Sequence, residues 1–357
     1  MESATAVSTQ PQVTVGIDTG KQFHVAHAAD QIGRPLGSHR MPTTTAGYRQ
    51  FVSWAHGLGQ LVTIGVEGSG HYGAGLARHL RAEGITVAEV GRPKCQRTAR
   101  YGKSDDADAA GAAAIVLAGE ALGELKSADG PAEMVRILRV ARTSAVRARA
   151  KAYTALQSLL VTAPSMLREQ LAGLYKDRLI AACENLSEPE TLTSTTDAMI
   201  LAIKLLAARC RELDAESERL AQHLDAITSA AAPTLRAVYG VGPDTAATLL
   251  AAVGDNPERI TNDAAFAKLC GVSPLDASSG KTVRHRLNRG GNRDANRALH
   301  VILVVRLRRH QPTRDYLTRR LAEGKTKNEI KRCLKRYIAR EIFHALHPPR
   351  TPLKIVA

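Results

Sequence analysis

The chain has 357 residues, 44% hydrophobic but only 4% aromatic, which is enough for roughly two or three domains with cores built from Ala, Val, Leu and Ile. It has no apolar run of about 18 residues, no basic-then-apolar leader in MESATAVSTQPQ, and no CxxC pair among Cys95, Cys183, Cys210, Cys270 and Cys333. These features argue against a membrane span, a signal peptide, a disulfide framework or a structural zinc site, and predict a reducing, cytoplasmic setting.

The net charge of +15 is unevenly placed: residues 1–127 carry a net of +1, residues 128–270 a net of −1, and residues 271–357 the whole excess. A single-signed field of that size attracts a polyanion, because each neutralised phosphate releases condensed counterions. A solvated, charged surface is the plain alternative.

In chain order, Val13–Ile17 is a short β-branched run ending in Asp18, and 23–27 is a second strand joined to it by a Gly20 turn. A third strand is expected near Pro35–Met41, an amphipathic helix over Ala46–Leu58 and a buried strand over Leu61–Val66 that ends in Glu67. A helix near 73–83, a strand at Ile85–Val90 and a helix from Ser104 complete an α/β order that matches the opening of a ribonuclease-H-like fold.

From about 131 to 228 the pattern is helix, irregular segment, helix. Leu138, Ala141, Ala145, Ala148, Ala152, Ala155 and Leu159 alternate spacings of three and four, as do Ile203, Leu206, Cys210, Leu213, Ser217, Leu220 and Leu224. Such seams suit a coiled coil, within one chain or between subunits, and equally two ordinary bundle helices. The stretch from Pro164 to about Thr195 has no assignable pattern. From Pro233 the chain reads as mostly helical, with a loop-rich insert at roughly 271–293. The expected division is therefore 1–127 as an α/β domain, 128–228 as a helical coil and 229–357 as an all-α C-terminal domain.

Asp18 and Glu67 end hydrophobic strands, and Asp105 and Asp108 lie three apart on one face of a helix start. Four carboxylates gathered at one point repel each other unless cations sit among them, and Mg2+ is the oxygen-seeking choice for phosphodiester chemistry. Taken singly, each has an ordinary reading as a helix-start acid, turn residue or loop residue. Asp106, turned about 100° from its neighbours, falls outside the set.

The segment LRAVYGVGPDTAATLL reads as a helix-hairpin-helix, with Gly240 and Gly242 letting backbone N–H groups approach a phosphate. A plain helical turn is the alternative. Beyond it, Ser278-Ser279-Gly280 lies in a basic segment with Lys281, Arg284, Arg286, Arg289 and Arg293, where a nucleophilic hydroxyl would stand beside phosphate-holding cations. The basic run from Arg306 to Arg340 reads as helical and suits phosphate contact better than base reading.

VGIDTGKQFHVA, GVEGSGHYG, GKSDDADA, LRAVYGVGPDTAATLLAAVGD and CGVSPLDASSGKTVRHRLNRGGNRDANRALH, in this order, resemble the DEDD transposases of insertion sequences, the "one-ten" group related to Piv-type DNA invertases. The resemblance implies a RuvC-like domain, a coiled coil and a C-terminal transposase domain. It implies that Asp18, Glu67, Asp105 and Asp108 bind Mg2+. Ser279, standing directly before glycine, would be the nucleophile, with Ser278 the competing choice. The usual Lys-Arg-Gly-Asn appears as Asn288-Arg-Gly-Gly-Asn292, which leaves the alignment of Arg289 and Asn292 open. It further implies donor and target DNA as partners, a structured guide (bridge) RNA that supplies sequence specificity by pairing, and a homo-oligomer, dimer to tetramer. The rivals are a Holliday-junction endonuclease, which needs no serine, and a non-enzymatic architectural nucleic-acid-binding protein.

Overall fold

A computed structural model of the chain describes residues 10–91, 104–121, 125–278 and 285–347. It divides into two compact units, Met1–Ser127 and Ala128–Ala357.

The first unit is built on a five-stranded sheet in the order β3-β2-β1-β4-β5. Its strands are β1 (Gln12–Thr19), β2 (Phe23–Ala29), β3 (Pro35–Pro42), β4 (Gln60–Glu67) and β5 (Val87–Val90). β2 runs antiparallel to β1 and β3, whereas β1, β4 and β5 are mutually parallel. The hairpins come first and the helical crossovers later, as the local patterns predict; β5 starts two residues later than expected. This mixed α/β arrangement is compatible with a ribonuclease-H-like domain.

Alternation along the strands sorts the two faces of the sheet. Val13, Val15 and Ile17 join Ile64, Val66, Phe51, Leu76 and Leu80 in a core beneath α1 (Thr45–Gly57) and α2 (Ala74–Ala82). The other face carries Gly16 and Gly65, over which α3 (Asp105–Leu117) lies. A Cβ on Gly16 would stand 2.1 Å from the Ala113 nitrogen and 2.2 Å from the Ala109 oxygen. Only glycine therefore lets the helix backbone touch the strand.

The second unit begins with α4 (Pro131–Val161). The Asp255 carboxylate caps its start by accepting from the backbone N–H groups of Gly130 (3.0 Å), Ala132 (2.6 Å) and Glu133 (3.1 Å). The unassigned stretch contains two short helices, α5 (Ser165–Gln170) and α6 (Asp177–Glu184), and leads to α7 (Thr195–Ala231). α4 and α7 pack antiparallel within the chain. Val135 near the start of α4 shares a core with Leu224, and Leu156 near its end shares one with Ile203, Ala207 and Cys210.

The predicted seam of α7 is buried or half-buried throughout, but that of α4 needs correction. Ala141 and Ala155 face solvent, and fully buried Leu156 takes the inward position. A larger side chain outcompetes alanine for the core, because burial scales with apolar area.

The remainder comprises α8 (Pro233–Ala237), α9 (Pro243–Val253), a 3-10 turn (Pro257–Arg259), α10 (Asp263–Leu269), α11 (Arg293–Arg309), α12 (Gln311–Ala322) and α13 (Lys327–Leu346). These pack around Leu235, Leu249, Phe266, Leu299, Ile302 and Ile342. The insert expected to be loop contains a two-stranded pairing, β6 (Leu275–Asp276) with β7 (His285–Arg286). Among the described residues no helix is long and apolar enough to cross a membrane.

Candidate active site and nucleic-acid interface

β1 and β4 run parallel with Ile17 opposite Val66, so Asp18 and Glu67 end neighbouring strands at the same edge of the sheet. Each stands two residues beyond a glycine that faces α3, which puts both on the α3 side. The Thr19 hydroxyl donates to the Glu67 carbonyl (2.8 Å) and ties the two strand ends together.

Ser104 caps α3 by accepting from the Ala107 N–H (3.2 Å), and the first turn carries Asp105, Asp106 and Asp108. Asp105 and Asp106 border a cleft with Val25, Ser38, His39 and Arg40, and Val25 is the cross-strand partner of Asp18. Asp108 directly precedes Ala109, the residue whose carbonyl lies against Gly16. Strand ends and helix start thus converge on one end of one face. The side chains stop short of closure: among the described residues no three His, Cys, Asp or Glu groups form a cation-binding cluster. As a donor set, four carboxylates offer only hard oxygen ligands, which fits Mg2+ or Mn2+ and not a soft thiolate-seeking metal.

At the glycine turn, Gly240 adopts φ +85°, a left-handed conformation that lets the chain reverse between α8 and α9. Gly242 leads into α9, and nothing within 4 Å would meet a Cβ there, so a ligand can approach the backbone closely. Its N–H is already committed to the Thr245 hydroxyl (3.0 Å), and Pro243 has no N–H, so the next backbone donors at this helix start are those of Asp244 and Thr245. The Asp244 carboxylate in this first turn would oppose an anion, but it pairs with Arg142 at 2.9 Å. A groove of about 490 Å³ runs between the turn and α11.

Ser279, Lys281 and Arg284 lie outside the described residues. Ser278 is described: its hydroxyl and N–H both donate to the Asp276 carboxylate, which holds that carboxyl below its usual range. Arg286, Arg289 and Arg293 are exposed around this segment.

Sequence reasoning missed the anchor beneath it. Asn296 donates to the carbonyls of Cys270 (2.9 Å) and Gly271 (3.1 Å), and accepts from Lys335 (2.5 Å) on α13. Asn292 caps α11 by accepting from the Asp294 and Ala295 N–H groups, both at 3.0 Å. Burial pushes the Cys270 thiol up to about 12, which makes it a packing residue and not a nucleophile. The basic run is also partly structural. Arg306 is buried, donates to the Tyr239 carbonyl (2.9 Å) and pairs with Glu341 (2.7 Å). No sequence periodicity marked it as inward.

Two family descriptions match the chain in order: "Transposase", of the DEDD IS110 type, over residues 15–163, and "Transposase IS116/IS110/IS902 family" over residues 232–318. The chain is also 30% identical over 144 residues to the "Insertion element IS110 uncharacterized 43.6 kDa protein" of Streptomyces coelicolor. That match takes in 40% of this chain and 35%, about a third, of the relative's length. The first description spans the sheet, α3 and α4, and the second spans the glycine turn, the serine segment and α11. The chain belongs to the IS110-type family of insertion-sequence transposases.

Proposed function

We propose that the protein is a DNA transposase that cuts and rejoins the strands of an insertion element. The observation that carries this reading is the ordered pair of family matches on a chain whose β1 and β4 end in Asp18 and Glu67 beside the acidic start of α3. In this reading residues 1–127 form a RuvC-like metal-site domain, 128–228 a helical coil, and 229–357 a transposase domain with a helix-hairpin-helix.

Asp18, Glu67, Asp105 and Asp108 would hold divalent cations, Mg2+ being the natural choice. Bound there, the ions would stabilise negative charge on a reacting phosphate. Ser279 is the proposed nucleophile. Its hydroxyl gives up a proton as Oγ attacks phosphorus, one P–O bond to deoxyribose breaks, and the departing oxygen takes a proton. The phosphoserine ester keeps the energy of the broken bond. A hydroxyl of the second DNA strand then attacks phosphorus, the P–Oγ bond breaks, and the serine regains its proton.

Arg286, Arg289 and Arg293 hold phosphate oxygens by charge-assisted hydrogen bonds. Donor and target DNA are the substrates, a structured guide RNA supplies specificity by pairing, and the working form is a dimer or tetramer.

The test is recombination between donor and target plasmids with Asp18→Asn and Ser279→Ala. Both are expected to abolish joining, and Ser279→Ala to abolish a protein–DNA adduct as well. Survival of joining in Asp18→Asn would refute the metal-site reading. Strand cutting by Ser279→Ala without an adduct would favour a junction endonuclease.

A further inference from the structure

A groove of about 870 Å³ in the second unit is lined by residues outside the serine segment. Ala148, Ala152 and Ala155 of α4 line it, together with Leu206 of α7, and its cations are Arg136, Arg139, Arg147, Lys151 and Arg209. Arg136 is paired with Glu133 at 2.6 Å. By contrast, Arg147, Lys151 and Arg209 are exposed and have no acidic partner among the described residues. Arg139 is half-buried close to Asp244, Asp294 and Arg297.

Spacing, continuity and composition indicate what such a groove holds. From Arg136 to Lys151 the helix rises about 22 Å, the length of roughly six base pairs along a duplex strand. Asp294 borders both this groove and the one at the glycine turn, and the Arg142–Asp244 pair joins α4 to the start of α9 there. A strand received at the turn therefore runs onto the basic face of α4. The lining contains no aromatic side chain, so it lacks the stacking platform that single-stranded nucleic acid uses.

We propose that the groove along α4 seats the phosphate backbone of duplex DNA running on from the Gly240–Gly242 turn. The contact is independent of sequence and extends the footprint of the protein beyond its C-terminal basic region. It rests on the reading of the chain as a DNA-handling protein, but not on the carboxylate or serine chemistry.

The experiment is fluorescence anisotropy of the full-length protein in EDTA, where no strand is cut, with labelled duplex DNA across a salt series. Duplex RNA and single-stranded DNA serve as parallel probes. The triple variant Arg147→Ala, Lys151→Ala, Arg209→Ala alters only exposed side chains, and its melting curve is expected to match the wild type. Its plot of log affinity against log salt is expected to be shallower by about 2.7, at ~0.9 per phosphate contact. Lysine in place of both arginines is expected to restore the slope.

An unchanged slope in the alanine variant would overturn the groove assignment while leaving the transposase reading in place. A change confined to duplex RNA or to single strands would overturn the assignment to duplex DNA. Absence of duplex binding by the wild type would overturn both readings.

Discussion

Replacing Gly16 by alanine puts a methyl group where the backbone of α3 already lies. The new carbon would sit 2.1 Å from the Ala113 nitrogen and 2.2 Å from the Ala109 oxygen, whereas ordinary contact begins at 3.4 Å. Neither atom can rotate away, so the helix must retreat by more than 1 Å, carrying Asp105 and Asp108 away from Asp18 and Glu67. Overpacking of this kind costs about 1–3 kcal/mol, roughly 3–15 °C in melting temperature for a unit of this size. On the metal-site reading proposed above, displacement of these carboxylates by ~1 Å costs catalysis on the order of 100-fold.

Gly65→Ala is the internal comparison. Its Cβ meets the side chains of Val116 (2.5 Å) and Val90 (2.9 Å), which can shift rotamer, so a smaller loss is expected. The assay is cleavage of donor DNA alongside thermal unfolding. Full cleavage and an unchanged melting temperature in Gly16→Ala would refute the claim that α3 delivers its acids by direct backbone contact with β1.

Two further outcomes follow from single residues. Asp255→Ala strands the N–H groups that start α4 and is expected to destabilise the second unit by about 2–3 kcal/mol, with Asp255→Asn milder, as read by denaturant unfolding. His24 is buried and stacked on Tyr48 at 6.0 Å, and burial lowers its pKa below the usual 6.5. Between those two values the unfolded chain binds a proton that the folded chain refuses, so stability is lost as pH falls below about 6.5. Melting curves from neutral to mildly acidic pH should show that loss in the wild type and less of it in His24→Phe.

Much of the first unit was legible because each element carried its own period: β-branched runs for β1 and β4, and a capped, acid-led start for α3. Register was not legible, yet the pairing of Ile17 with Val66 is what brings Asp18 and Glu67 together across 49 residues of sequence. Gly16 looked like one glycine among 28, since close backbone approach leaves no local pattern. In the second unit a strict spacing rule put Ala155 in the seam, although Leu156 buries more apolar surface. Regional charge sums hid the cations of α4, because residues 128–270 total a net of −1 while Arg136, Arg139, Arg147 and Lys151 line one groove. The anchor formed by Asn296 and Lys335 joins residues 39 apart and left no trace in either local segment.

The central claim is that Asp18, Glu67, Asp105 and Asp108 share divalent cations, and calorimetric titration of Mn2+ or Mg2+ into the full-length protein tests it without requiring DNA. Saturable binding is predicted for the wild type, with loss in Asp18→Asn, Glu67→Gln, Asp105→Asn and Asp108→Asn but retention in Asp106→Asn. Equal binding by all five variants and the wild type would contradict the account.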